Sequence, residues 1–240
     1  FEKKEIYNET TGVLTNDKIL ENAKIGFDFE GKNIFQDSSL SGVSVTGIFG
    51  DLDLTKVNSD YLNDQRDTGP KTHGDFNKVV LDFYHIHKFT NKINFKYYGS
   101  FQHASKNLDS SEKFSLGGVS GIRAYPSGEA SGDEGHKLSF EVQYDLSKPD
   151  MNYDLIGTLF YDYGKIRQYK DSSNITLTTP NEYSLSGWGV SFDLIANERA
   201  KLNLGWAQAI GDNDGKSSSG NNSDGRGGSS RAWFQVVFKF

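Results

Sequence analysis

Apolar and polar residues alternate along most of this chain. From Lys92 to His103 the odd positions Ile93, Phe95, Tyr97, Gly99 and Phe101 are mostly apolar, and the even positions Asn94, Lys96, Tyr98, Ser100 and Gln102 are mostly polar. From Lys137 to Leu146, the residues Leu138, Phe140, Val142, Tyr144 and Leu146 form one set, and Lys137, Ser139, Glu141, Gln143 and Asp145 form the other. The C-terminal run sets Phe234, Val236, Phe238 and Phe240 against Gln235, Val237 and Lys239. A period of two marks a strand with different surroundings on its two faces. Further strands are expected near 2–10, 19–31, 40–54, 76–89, 152–169, 182–196 and 198–210, ten in all, with no convincing helix between them.

The connections alternate in length as well. Gly31–Ser39, Thr90-Asn91, Ser147–Met151 and Asn197-Glu198 are short, whereas Lys56–Asp75, Leu108–His136, Lys170–Asn181 and Asp212–Ser230 are long and polar. Many strands bounded by such turns specify an all-β barrel or sandwich. Short turns at one end and long loops at the other are the habit of outer-membrane barrels. A sandwich has no reason to sort its loops in this way.

Composition narrows the choice of chemistry. No stretch of the 240 residues approaches the roughly 20 apolar residues of a membrane-spanning helix. A transmembrane strand needs only about 9–11 residues and turns half of them to a polar lumen. Zero cysteine excludes a disulfide framework and a thiolate metal site. The net charge of −6 and the lack of a basic stripe argue against a nucleic-acid partner. His85 and His87 would share one strand face without a third ligand, and Asp212-Asn213-Asp214-Gly215 has Ser223 where a calcium loop needs its closing glutamate. Neither a nucleophile elbow nor a phosphate loop occurs. No catalytic residue, metal or cofactor is expected. Asp212–Ser230 is low-complexity and reads as a mobile surface loop.

One segment resists a bland reading. Phe114–Gly135, FSLGGVSGIRAYPSGEASGDEG, is rich in glycine and carries a single cation, Arg123. Turn chemistry explains the glycines but not Arg123 set between Ile122 and Tyr125. A candidate carboxylate lies on the following strand. There Leu155, Gly157, Leu159, Tyr161 and Tyr163 share one face, which turns Phe160, Asp162 and Gly164 to the other. An acidic side chain is costly against lipid, so Asp162 points inward. On the next strand Gly187 and Gly189 fall on that inner face, leaving a depression that suits a close visitor.

The Ile122-Arg123-Ala124-Tyr125 core resembles the sixth-loop motif of outer-membrane barrels that move or insert polypeptides. Leu116-Gly117-Gly118, Gly121 and Gly132-Asp133-Glu134-Gly135 make it similar to two-partner secretion transporters, the haemolysin and adhesin exporters. That resemblance implies a transmembrane antiparallel β-barrel of the bacterial outer membrane, of which residues 1–240 are the last ten strands of sixteen. The first six strands and the periplasmic substrate-recognition domains would precede Phe1. The implied function is translocation of a large secreted partner, an adhesin, haemolysin or contact toxin. In that reading the loop folds into the lumen and Arg123 pairs with Asp162, in the F-x-D-x-G wall motif Phe160-Asp162-Gly164; such a pair in a wet lumen contributes little energy. Phe234, Phe238 and Phe240 would be read by the barrel-assembly machinery, and lipid would cover the outer face. The family loop usually has glycine after the arginine. Here it is Ala124, whose methyl would strain a left-handed backbone. An insertase of the same superfamily, a porin-like channel and a soluble β-sandwich binding module stay open as alternatives.

Overall fold

A computed structural model describes residues 1–10, 13–150, 152–196 and 199–238. The main strands are β1 (Glu2–Thr10), β2 (Val13–Lys32), β3 (Ser39–Asp53), β4 (Gly74–Lys88) and β5 (Ile93–Ala104) in the first half. Two short strands follow, β6 (Phe114–Leu116) and β7 (Ala130–Gly132), and then β8 (Glu134–Asp145), β9 (Tyr153–Arg167), β10 (Glu182–Ala196), β11 (Ala200–Ile210) and β12 (Ser230–Phe238). Among the described residues, ten strands form one antiparallel sheet in the order β1-β2-β3-β4-β5-β8-β9-β10-β11-β12, and β6 and β7 form a separate ribbon. Each long strand pairs with its neighbour in the chain, so the topology is a meander interrupted once. The sheet curls until Tyr84 on β4 and Gln235 on β12 line one cavity of about 580 Å³.

The two faces of the sheet invert the usual rule for water-soluble proteins. Phe101, Phe140, Val142, Leu159, Trp188, Phe234 and Phe238 are exposed on the convex face, and Ile93, Phe95 and Leu138 lie half-buried on it. Ser139, Glu141, Gln143, Thr158 and Asp162, on alternate positions of the same strands, are buried on the concave face. A continuous apolar exterior of this extent is not tolerated by water, whereas lipid accepts it.

Three expectations need correction. First, β2 starts at Val13 rather than near 19, pairing with β1 across a register shift between Asn8 and Glu9. Second, the loop at Lys56–Asp75 contains a helix, α1 (Asn58–Gln65). Its stop is chemical: Asp64 accepts hydrogen bonds from Thr72 N (2.9 Å), the Thr72 hydroxyl (2.7 Å) and His73 N (3.0 Å), folding the chain back after α1. Third, Asp212–Ser230 is folded and anchored rather than a loose surface loop: Asn213 and Asn222 are buried. Phe240 lies outside the described residues.

The interior is not empty. Residues 105–133, between β5 and β8, run into the concave side. Their apolar side chains Phe114, Leu116, Ile122, Ala124, Tyr125 and Ala130 build a core with Phe160 and Ile166 of β9 and Leu185 of β10. A second cluster, Leu20, Leu52, Leu54, Phe76, Ala104 and Leu108, closes the same end of the sheet beneath α1.

Candidate functional site

The inserted loop is shaped by its own backbone. Gly117 (φ +90°) and Gly118 (φ +80°) take left-handed conformations that L side chains rarely adopt. They reverse the chain so that Gly118 N donates to Tyr125 O (2.9 Å), closing the tip. Gly121 packs against Gly117, where a side chain would strike the Gly117 carbonyl oxygen. Within the tip, Tyr125 N donates to Ile122 O (3.0 Å), which places Arg123 and Ala124 at the corner of a tight turn. Among the described residues, the non-glycine ones with positive φ are Asn33, Ser38 and Lys71, so Ala124 is unstrained. The expected penalty at this position is absent because the turn does not use a left-handed residue there.

Arg123 projects from that corner onto the wall. Its Nε donates to Asp162 Oδ2 (2.9 Å) and its Nη2 to Asp162 Oδ1 (2.7 Å), a two-pronged contact. The Arg123 backbone N–H also donates to Asp162 Oδ2 (3.0 Å), and the Ser139 hydroxyl donates to Oδ1 (2.6 Å). The carboxylate is therefore fully engaged, and it is 0% exposed. Arg123 Nη1 reaches Glu141 Oε1 on β8 (2.7 Å). The guanidinium lies 3.4 Å above the centroid of the Phe160 ring. One cation thus meets two carboxylates, a hydroxyl and an aromatic face. This is not the wet pair of the sequence reading. A buried ion pair is costly to break, because the partner left behind stays charged and dry.

Wall glycines make room for the visitor. A methyl at Gly187 would lie 2.5 Å from the Ala124 Cβ, one at Gly164 would lie 2.7 Å from Leu116 Cδ2, and one at Gly135 would lie 2.7 Å from Phe114 Cδ1. Gly189 serves the wall itself, since a side chain there would strike the Trp206 carbonyl oxygen on β11 and the Phe160 ring tip. Phe160 in turn packs beside Trp233 on β12, their ring centroids 6.1 Å apart. Asp133 is 0% exposed at the loop's exit. It accepts from Leu108 N (3.0 Å) and Lys170 N (2.8 Å) and pairs with Lys113 Nζ (2.8 Å), joining the two arms of the loop.

A profile of the family described as Haemolysin secretion/activation protein ShlB/FhaC/HecB matches residues 36–194, a span that holds the loop and its wall. The chain belongs to that family. It is 33% identical over 162 residues to the heme/hemopexin transporter protein HuxB of Haemophilus influenzae strain 86-028NP, covering 67% of this chain and 28% of HuxB. It is 30% identical over 182 residues to HuxB of strain ATCC 51907, covering 75% of this chain and 31% of that protein. The chain therefore spans under a third of the length of these relatives. Among solved structures, CdiB from Escherichia coli superposes with a TM-score of 0.73 at 14% identity, over 98% of this chain and 40% of CdiB. CdiB from Acinetobacter baumannii gives 0.62 over 98% of this chain and 37% of the other. Family and fold together place the curled sheet in the outer membrane as part of a two-partner secretion β-barrel.

Several contacts at the site carried no sequence signal. Alternation put Glu141 on the inner face, but nothing marked it as a second partner of Arg123. Glu129, on the loop, is buried and holds the β11–β12 loop: its Oε2 accepts from Ser223 N (2.8 Å), and its Oε1 accepts from the Asn213 amide. Phe234 and Phe238 stand on the convex face of β12, remote from the loop. His85 is also convex, bonded to the Ser41 hydroxyl (2.8 Å) and stacked on Tyr97.

Proposed function

We propose that this chain is the C-terminal part of the barrel of a two-partner secretion transporter, and that the barrel passes one large secreted protein outward through its lumen. In this reading residues 105–133 are the gate. They fill the lumen in the resting state, and Arg123, held by Asp162 and Glu141, keeps them seated. The supporting observation is the burial of that ion pair on a loop that packs its apolar side against the barrel wall. A mere surface hairpin has no use for an interior core and a buried guanidinium. Polypeptide cargo would need the loop to move, and the polar concave wall would then offer hydrogen-bonding groups along the path. The cargo class is a secreted adhesin, haemolysin or contact toxin, to which the likeness to HuxB adds a haem- or hemopexin-directed protein. Phe234 and Phe238, with Phe240, would serve assembly of the barrel.

The test uses the full-length transporter and its cognate secreted protein. Arg123→Ala and Asp162→Ala should each lower export about tenfold or more while the heat-modifiable barrel band is retained, and the double variant should be no worse, because coupled residues are not additive. Normal export by both single variants would overturn the gate.

A further inference from the structure

The inserted loop is held at a second place, with the charges reversed. At the tip the loop supplies the cation and the wall supplies the acids. Along the incoming arm, residues 105–113, the loop supplies acids and the wall supplies lysines. Asp109 accepts from Lys18 Nζ of β2 through both carboxylate oxygens, at 2.8 and 2.7 Å, and its Oδ1 also accepts from the nearby Ser111 N (3.0 Å) and hydroxyl (2.6 Å). Glu112 Oε2 pairs with Lys78 Nζ of β4 at 2.8 Å, and the same ammonium donates to the Glu112 carbonyl oxygen at 2.7 Å. Asn22 Nδ2 adds a bond to Glu112 Oε1 (3.3 Å), and Gln102 Nε2 of β5 bonds the Glu112 carbonyl oxygen (3.1 Å). Lys18, Lys78 and Glu112 are each more than nine-tenths buried. Lysine is seldom buried unless a partner needs it there.

We infer that Lys18 and Lys78 are positioning residues that hold the arm of the loop against the β2–β5 side of the wall, as a lock separate from the Arg123 tip on β8 and β9. The inference rests on the reading of this loop as the gate. The two locks grip different sectors of the wall and share no side chain. Freeing Arg123 therefore leaves the arm seated, and full withdrawal of the loop requires both clusters to part. The reversed polarity adds specificity: neither end of the loop can settle in the other's seat, because like charges would meet.

Hydrogen–deuterium exchange on the folded full-length protein tests this without reference to export. Glu112→Gln and Asp109→Asn lie on the loop and spare the strands. Each should speed exchange in residues 105–113 by about 10- to 100-fold, the factor a charge-assisted hydrogen bond carries. Residues 117–126 should change less than threefold. Lys78→Glu should speed the arm similarly, Lys78→Arg should behave as the parent, and Lys78→Glu combined with Glu112→Lys should recover much of the protection. A purely packing role for the arm would give no recovery by the charge swap. Unchanged exchange in 105–113, or equal loosening of arm and tip in every variant, overturns the second lock. Normal export by Arg123→Ala would instead remove the gate reading and leave the exchange result standing.

Discussion

Gly187→Ala should unseat the loop tip by crowding alone, with no charge altered. The added methyl would sit 2.5 Å from the Ala124 Cβ. Carbon atoms pack best at about 3.5–4.0 Å, so the tip must recede by about 1 Å. The bonds from Arg123 to Asp162, now 2.7 to 3.0 Å, would stretch past the roughly 3.2 Å at which such bonds are effective. Overpacking of this kind costs about 1–3 kcal/mol. At 1.4 kcal/mol per factor of ten, the seated-to-unseated ratio falls by about 5- to 150-fold. Ala124→Gly in the same chain removes the colliding methyl. A residual contact at 3.0 Å to the Gln208 carbonyl oxygen stays, so recovery should be close but incomplete, within about threefold of the parent. The assay is the frequency of open events of the full-length protein in planar bilayers, with heat-modifiable migration as the control for folding. A Gly187→Ala protein that opens no more often than the parent refutes the steric argument. So does failure of Ala124→Gly to restore closure.

Other outcomes are equally specific. Glu129→Ala should raise hydrogen exchange across residues 211–229 by about tenfold or more, since each bond to a buried charge is worth about 1.5–3 kcal/mol; unaltered exchange would return that segment to a free surface loop. Burial pushes the Asp64 carboxyl up, but the bonds from His73 N, Thr72 N, the Thr72 hydroxyl and the Gln65 amide together hold it below its ordinary value. A depressed carboxyl stabilises above its unfolded pKa and ceases to do so as pH falls through the folded one. Protection of residues 54–73 should accordingly decline below about pH 4 in the parent and be nearly flat in Asp64→Asn, with identical profiles counting against the linkage. Single cysteines replacing Phe101, Phe140, Leu159 or Trp188 should react with a membrane-confined reagent, and one replacing Lys96, which lines the lumen cavity, should favour an aqueous reagent; the inverse pattern would mean the faces are exchanged.

Much of the fold was legible because a barrel strand repeats every two residues and its two solvents differ. Alternation alone assigns Phe140 to one face and Ser139 and Glu141 to the other. The loop and Asp162 were legible through local spelling, a lone arginine among glycines and an acid on an inward position. What alternation cannot encode is which inward group a folded-back loop will reach. Glu141 looked like one more lumen charge. Lys18 and Asp109 lie 91 positions apart, with no pattern linking them. Helix α1 was hidden for another reason: NSDYLNDQ has two large apolar residues and no stripe, and Asp64 holds its end through residues beyond it. Ala124 was misjudged because a family habit stood in for the backbone angle.

The grip of Glu129 on the β11–β12 loop also makes the last hairpin depend on the inserted loop. Its two partners, Asn213 and Ser223, lie 84 and 94 residues further along the chain. Contacts between such distant residues form late, after the loop-closure entropy has been met. The crown of the last hairpin lacks these bonds whenever Glu129 is not inside. A chain that closes with its loop outside would therefore carry a C-terminal hairpin whose crown is short of both bonds, a mark of the error far from the loop itself.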